Sequence, residues 1–480
     1  MRWLVLIGLL MTNSISSASG MGYDDARHLL NRTGFTASEA EVQEFAGYTR
    51  LQAANKLLDG TRTVAQTPAP SDLGEWIQLS KLKNLSEDAR KAVLKEAIEK
   101  GIALRGWWYQ EMLATPSPLT EKMTLFWHNH FVSSQQKVKS PVLMYQQNVL
   151  LRKYALGNFG EMLHAISKDP AMIIYLDNVS NRKGQPNENF AREVMELFTL
   201  GEGNYTEQDI KEAARAFSGW SLDRETGLFR FYPRLHDDGV KTVLGKRGNF
   251  EGDAVLDILL HQPQAAELIT RKLWREFISP APEPSEVKRL ARIFRSSSYD
   301  VKSVMRALLT SEAFYAKQNR AILVKSPVEF MIGTLKQFDI HPKDMRPLLF
   351  AGRNLGQDVF GPPNVKGWPG GENWINSNTL LTRQQLLQKL LRAQEMPPSM
   401  MAQEQSADRK NKFNKMQRMQ SSLHFDSDGW LGQFKGTQAQ KQVQAARLLL
   451  ASAPVNKLQP STASVEVIRQ LVLDSAYQIK

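Results

Sequence analysis

The chain has 480 residues, 42% hydrophobic and 23% charged, an ordinary globular composition long enough for one large helical body or two to three domain-sized units. Lysine and arginine exceed the acids by 12, which favours anionic partners such as acidic glycans, phosphates or envelope lipids. The basic residues are dispersed except for Arg409–Arg418, so specific nucleic-acid binding is not expected; the lack of cysteine excludes disulfides, thiolate metal sites, cysteine nucleophiles and lipoprotein anchoring.

Residues 1–20 combine Arg2, an apolar run from Trp3 to Met11 and a stretch of small residues up to Gly20, the pattern of a secretory signal peptide. The sequence therefore predicts an exported protein, periplasmic or extracellular, and no run long enough for a transmembrane anchor. Residues 21–395 read as the helical main domain. Ser38 with Glu41 forms a capping box; Ser117-Pro118 opens a helix running to Val132. On that helix Met123, Phe126, Trp127 and His130 share one face, with His128, Glu121 and Thr124 nearly opposite, so the two histidines cannot both ligate one metal unless the helix breaks. Phe159, Met162, Leu163 and Ile166 form an apolar stripe, and Asp169-Pro170 opens a short helix to Leu176. A helix over 188–200 follows, then one capped by Thr206 and Asp209 with Ile210, Ala213, Ala214 and Phe217 inward, stopped by Gly219. The stretch near 228–244 predicts a single β-hairpin turning at Asp238-Gly239 and carrying His236 and Asp237. Ser326-Pro327 with Glu329 is another capping box; residues 361–377, rich in glycine and proline, form a long loop with Trp368 and Trp374. Residues 396–436 read as a polar linker, and 437–480 as C-terminal helices packed on the main domain. The predicted fold is mainly α: a large multi-helix body with one hairpin and one Gly/Trp loop.

Each polar constellation supports two readings. His130 is either a core histidine with satisfied nitrogens, or a general base or metal ligand that needs a carboxylate to set its tautomer. Glu188, Arg192 and Glu196 recur at i+4 with Asn189 and Glu193 beside them. That is a solvated ion-pair face, or the wall of a polar site entered through the loop carrying Asn187 and Asn189. His236-Asp237 at a rigid turn suits acid–base chemistry or an oxygen/nitrogen metal site, although the Asp238-Gly239 pair is explained by turn geometry alone. Trp368 and Trp374 either stack on sugar rings or plug gaps between helices. Lys325 faces an anion or solvent.

Six blocks in order resemble a bacterial secreted family, domain of unknown function 1800: FWHNHF (Phe126–Phe131), DPAMIIYLDN (Asp169–Asn178), PNENFAREVMELFTLGEGNYTE (Pro186–Glu207), HDDG (His236–Gly239), VKSPVE (Val324–Glu329) and NVKGWPGGENWINS (Asn364–Ser377). The resemblance spans nearly the whole mature chain. It implies an exported, mostly helical protein without an established activity. It also implies a co-produced exported partner similar to the alkaline phosphatase and sulfatase fold.

Two functions fit these residues. In one, His130, Glu193, Glu196, His236 and Asp237 border a cleft for hydrolysis of an anionic substrate. Asn187, Asn189, Arg192, Trp368 and Trp374 then bind substrate, and His130, Glu193, Glu196 and His236 hold a divalent metal. In the other, the protein is a non-catalytic binding or assembly protein for an acidic glycan or acidic protein partner. There is no G-x-S-x-G elbow, Walker A loop or dinucleotide fingerprint.

Overall fold

A computed structural model describes residues 20–76, 81, 84–395, 423 and 425–480. The signal-peptide reading (1–19) and most of the linker reading (396–422 and 424) lie outside these residues. The fold is mainly α, and among the described residues no helix is long and apolar enough to cross a membrane.

Helices α1 (Tyr23–Thr33), α2 (Glu39–Ala46) and α3 (Arg50–Asp59) precede the long α4 (Glu87–Ala114) and the central α5 (Pro118–His130). The capping box of Ser38 and Glu41 forms as the sequence predicts. Ser117 makes no side-chain cap; its hydroxyl lies 2.7 Å from that of Thr120, and Pro118 alone marks the helix start. Helix α5 is buried on every side: Glu121, Lys122, Thr124 and His128 are as enclosed as Met123 and Trp127. Burial of Glu121 is offset by a complete partner set. Trp108 Nε1 donates to it at 2.8 Å, and Arg152 on α6 (Pro141–Tyr154) donates from Nε and Nη2 at 2.6 and 2.9 Å.

Helices α7 (Phe159–Ser167), α8 (Pro170–Tyr175) and α9 (Asn189–Glu193) follow. The helix predicted over 188–200 is not uniform. From Val194 to Leu200 it widens into a π-helix, closed by a Gly201 N–H to Glu196 carbonyl bond and by Thr199 Oγ1 donating to the Val194 carbonyl at 2.7 Å. Thr206 and Asp209 then cap α10 (Glu207–Ala216).

The hairpin predicted near 228–244 is replaced by two. Strand β1 (Trp220–Leu222) pairs with β2 (Phe229–Phe231), and β3 (Lys241–Val243) with β4 (Lys246–Gly248). The second turns at Leu244-Gly245, both with positive φ (49° and 75°), the geometry that tight two-residue hairpins require. Asp238-Gly239 is left in the connection between them.

Helices α11 (Gly252–His261), α12 (Pro263–Phe277), α13 (Pro284–Ser296) and α14 (Val301–Leu309) lead to α15 (Pro327–Gln337), whose capping box of Ser326 and Glu329 also forms. Helices α16 (Arg346–Asn354) and α17 (Ser377–Glu395) flank the Gly/Trp loop. Past residue 424, α18 (Ser427–Gly432) lies within the stretch read as linker, before α19 (Gln438–Leu449) and α20 (Ser464–Val472). One continuous apolar cluster runs from Ala26 through α5 to Tyr477, so these last helices share the core of the rest. The chain end returns to the centre: Lys325 N donates to the Gln478 carbonyl and Lys480 N to the Leu323 carbonyl, each at 2.8 Å.

Candidate functional site: a buried lysine–glutamate pocket

The predicted catalytic residues do not assemble. Both ring nitrogens of His130 are occupied: Nε2 lies 3.2 Å from the Phe198 carbonyl, and Nδ1 lies 2.8 Å from Lys272 Nζ, which also donates to the Leu197 carbonyl at 3.1 Å. The π-helix explains this arrangement, because its widened turns present carbonyls of 197 and 198 that His130 and Lys272 satisfy. Burial, reinforced by Lys272, holds the imidazole well below its usual pKa, so it is neutral, with Nε2 donating and Nδ1 accepting. Burial also pushes Lys272 down to about 8. No carboxylate orients His130; it meets the acidic segment through main-chain carbonyls and the Phe198 ring, 5.8 Å between ring centroids.

Glu193 and Glu196 are half-buried neighbours. Burial and then the charge of Glu196 raise the Glu193 carboxyl, while Glu196 accepts from Tyr205 Oη at 2.5 Å. Arg192 forks onto Glu207 at 2.8 and 2.7 Å and reaches Glu188 at 3.2 Å. Asn187 donates to Ser180 Oγ at 3.0 Å and Asn189 to the Leu176 carbonyl at 3.1 Å, so both pin the entry loop. His236 is buried with Nδ1 2.9 Å from the Ser218 carbonyl. Asp237 takes Arg215 in two-point contact at 2.8 and 3.0 Å, which holds its carboxyl down at about 2. No hydrogen bond or ion pair links His130, His236, Asp237, Glu193 and Glu196 to one another among the described residues. The structure does not bring His130, Glu193, Glu196 and His236 together as a metal set, and no group of three or more His, Asp or Glu side chains among the described residues is placed to hold a metal. His130 Nε2 and His236 Nδ1 lie against main-chain carbonyls, Glu196 accepts from Tyr205, and Asp237 is held by Arg215.

Trp368 and Trp374 are buried, as plugs are, but they also wall a cavity of about 100 Å³. At its floor stands Glu329. The capping box fixes its Oε2 on the Ser326 amide at 2.7 Å, while Oε1 takes both Lys122 of α5 and Lys480 at the chain end. These lysine side chains are 2% and 4% exposed. Glu276 of α12, 36% exposed, marks the mouth, 3.2 Å from Lys122 Nζ and 3.8 Å from Lys480 Nζ; Arg275 lies beside it. Burial drives Lys122 far below the usual ammonium range, with Lys480 adding to the effect; burial lowers Lys480 too. Burial alone would raise Glu276, but the two lysines outweigh it and hold it low. Among these side chains three cations, Lys122, Arg275 and Lys480, face two carboxylates, Glu276 and Glu329. The indole N–H of Trp368 is buried without an intramolecular partner at the wall of this cavity. Asn129 anchors the tryptophan loop by accepting the Trp368 amide at 2.7 Å.

The family model described as a protein of unknown function (DUF1800) matches residues 28–473. The chain belongs to that family. No curated protein and no solved structure matches it. Of the blocks that carry the DUF1800 resemblance, three meet at the lysine–glutamate pocket: Phe126 and Asn129 from the first, Val324, Ser326 and Glu329 from VKSPVE, and Trp368 and Trp374 from the glycine-rich loop.

Sequence reasoning missed Lys122, Glu276, Glu329 and Lys480 as site residues. The available signal was Lys122 within the apolar arc of Leu119, Leu125 and Phe126. Lys325, one residue from the pocket lining, is half-buried with its ammonium against an aromatic ring. Its ammonium sits 4.1 Å from the Tyr477 ring centroid, and burial pushes it down to about 7.

Proposed function

We propose that the protein recognises the acidic group of a ligand, a carboxylate or phosphate, in the lysine–glutamate pocket. The observation that carries this reading is the convergence of two buried lysines on one oxygen of Glu329. Desolvating an ammonium costs several kcal/mol, and although Glu276 adds a second carboxylate beside Glu329, Arg275 leaves the lining one positive charge in excess. A further anion between Lys122, Lys480 and Arg275 supplies the missing charge, and the Trp368 N–H supplies a donor. The volume of about 100 Å³ is below the several hundred Å³ of a pocket enclosing a whole drug-sized molecule. Hence the pocket takes the acidic head of a larger ligand, such as an acidic glycan or acidic protein partner, and leaves the rest outside near Glu276.

One observation favours a second reading, hydrolysis of an anionic substrate. Burial lowers the Lys122 amine well below the usual ammonium range, and an amine that gives up its proton more readily can act as a base or nucleophile. Export and any co-produced partner belong to the same proposal and rest on the sequence alone.

Calorimetric titration with phosphate, succinate and glucuronate tests the reading. At least one binds the wild type with a millimolar or better Kd, and Lys122→Met abolishes that binding while Arg192→Met leaves it unchanged. Binding that protonates Lys122 also makes the measured heat depend on the ionisation enthalpy of the buffer. No binding of any of the three, or equal binding by Lys122→Met, overturns the proposal.

A further inference from the structure

A second cavity, of about 470 Å³, lies between α4 and α16, away from the lysine–glutamate pocket. One wall is Leu94, Ile98 and Ile102 of α4; the other is Leu349 and Phe350 of α16. Ile98 is 63% exposed and Phe350 60% exposed. Single exposed apolar side chains are ordinary, but two large ones facing each other across a hollow form a continuous apolar surface without a cover.

The rim is basic. Arg105, Lys139, Arg346 and Arg353 line the cavity against a single carboxylate, Asp358. Asp358 is spent on Arg105 at 2.8 Å, and Arg346 is paired with Asp344 at 2.8 Å outside the lining. Lys139 and Arg353 have no carboxylate partner among the described residues. An apolar trough closed by unneutralised cations is complementary to one chemistry, a hydrocarbon chain ending in an anion. The volume falls in the range of pockets that enclose a small organic molecule, and a single acyl chain meets both requirements without a second hydrophobic surface.

We infer that the α4–α16 groove binds a free fatty acid, with the chain between Ile98 and Phe350 and the carboxylate at Arg353 and Lys139. This site is independent of the acidic-head pocket, so either can fail alone. The experiment is titration of dodecanoate, below its micellar concentration, into the wild-type protein and into Ile98→Asp, Phe350→Ser and Arg353→Glu, with dodecanol as the uncharged comparator. All three substituted positions are exposed, and thermal melts verify folding of each variant. The wild type binds dodecanoate at about one equivalent, each variant binds at least about tenfold more weakly, and dodecanol binds at least about tenfold more weakly than dodecanoate. Absence of binding, or equal binding by folded Ile98→Asp and Phe350→Ser, overturns the inference. Equal affinity for dodecanol removes the anionic head from it. Two further results overturn it in favour of another occupant. One is co-sedimentation with anionic vesicles without uptake of monomeric dodecanoate, which assigns the face to a membrane. The other is a concentration-dependent dimer abolished by Ile98→Asp, again without uptake, which assigns it to a second copy of the chain.

Discussion

Replacing Arg192 by methionine separates the two readings of the acidic helix. Its side chain is 33% exposed, and its partners Glu188 and Glu207 are 35% and 67% exposed. Each exposed pair contributes about 0.2–1 kcal/mol, and the i,i+4 pair with Glu188 belongs near the lower end of that range. Methionine keeps most of the aliphatic packing, so the net cost is below about 1 kcal/mol, with a fall in Tm of less than about 2 °C. Arg152→Met supplies the scale. Arg152 and its partner Glu121 are 2% and 1% exposed, and removing the guanidinium leaves that carboxylate with only the Trp108 N–H. A stranded buried charge of this kind costs about 3–5 kcal/mol. Urea unfolding of both variants beside the wild type, followed by far-UV circular dichroism and tryptophan fluorescence together, gives the comparison and checks cooperativity. A loss of about 3 kcal/mol or more for Arg192→Met would refute the reasoning and restore a buried arginine clamp at the 187–196 segment.

His164 predicts a pH dependence. Its two nitrogens contact Asp253 at 2.8 Å and Asp257 at 3.0 Å, an arrangement that needs both protons, and the hydrogen bond to Asp253 leads in raising its pKa. The contribution is fully present below about pH 6.5, the unfolded value, and is lost as pH rises through the raised folded value. His164→Gln therefore flattens Tm between pH 6 and 9, and an unchanged slope contradicts the assignment. Gly367→Ala destabilises by more than about 1 kcal/mol, because φ is 81° and a Cβ would meet the Asn129 side chain and its carbonyl, the latter at 2.7 Å. It also displaces the Trp368 loop and so weakens anion binding; a variant with wild-type stability and affinity would show that the loop is not held by this contact.

The sequence made legible whatever is encoded locally. The capping boxes at Ser38, Thr206 and Ser326 form because the side chain and amide involved lie three residues apart. The apolar stripes follow the same logic. Periodicity failed on α5, where Lys122, Glu121 and His128 are inside: on a helix enclosed on all sides the polar stripe does not mark solvent. The π-helix was invisible for a related reason, since Val194–Leu200 keeps an apolar pattern compatible with an α-helix. The hairpin stretch had the right composition, but Leu244-Gly245 won the second turn over Asp238-Gly239. The lysine–glutamate pocket depended on distance in sequence, joining Lys122, Glu276, Glu329 and Lys480 through tertiary packing alone. Glu329 shows the limit well: one oxygen does what the capping box announces, and the other does what no local pattern could.

Anomalous diffraction from crystals soaked in selenate tests the central claim most directly. The account predicts a selenium peak between Lys122, Lys480 and Arg275, with selenate oxygens about 2.8 Å from the lysine nitrogens by ordinary charge-assisted hydrogen bonding, and absent in Lys122→Met crystals. Selenate bound only elsewhere, with both lysines still directed at Glu329, would contradict it.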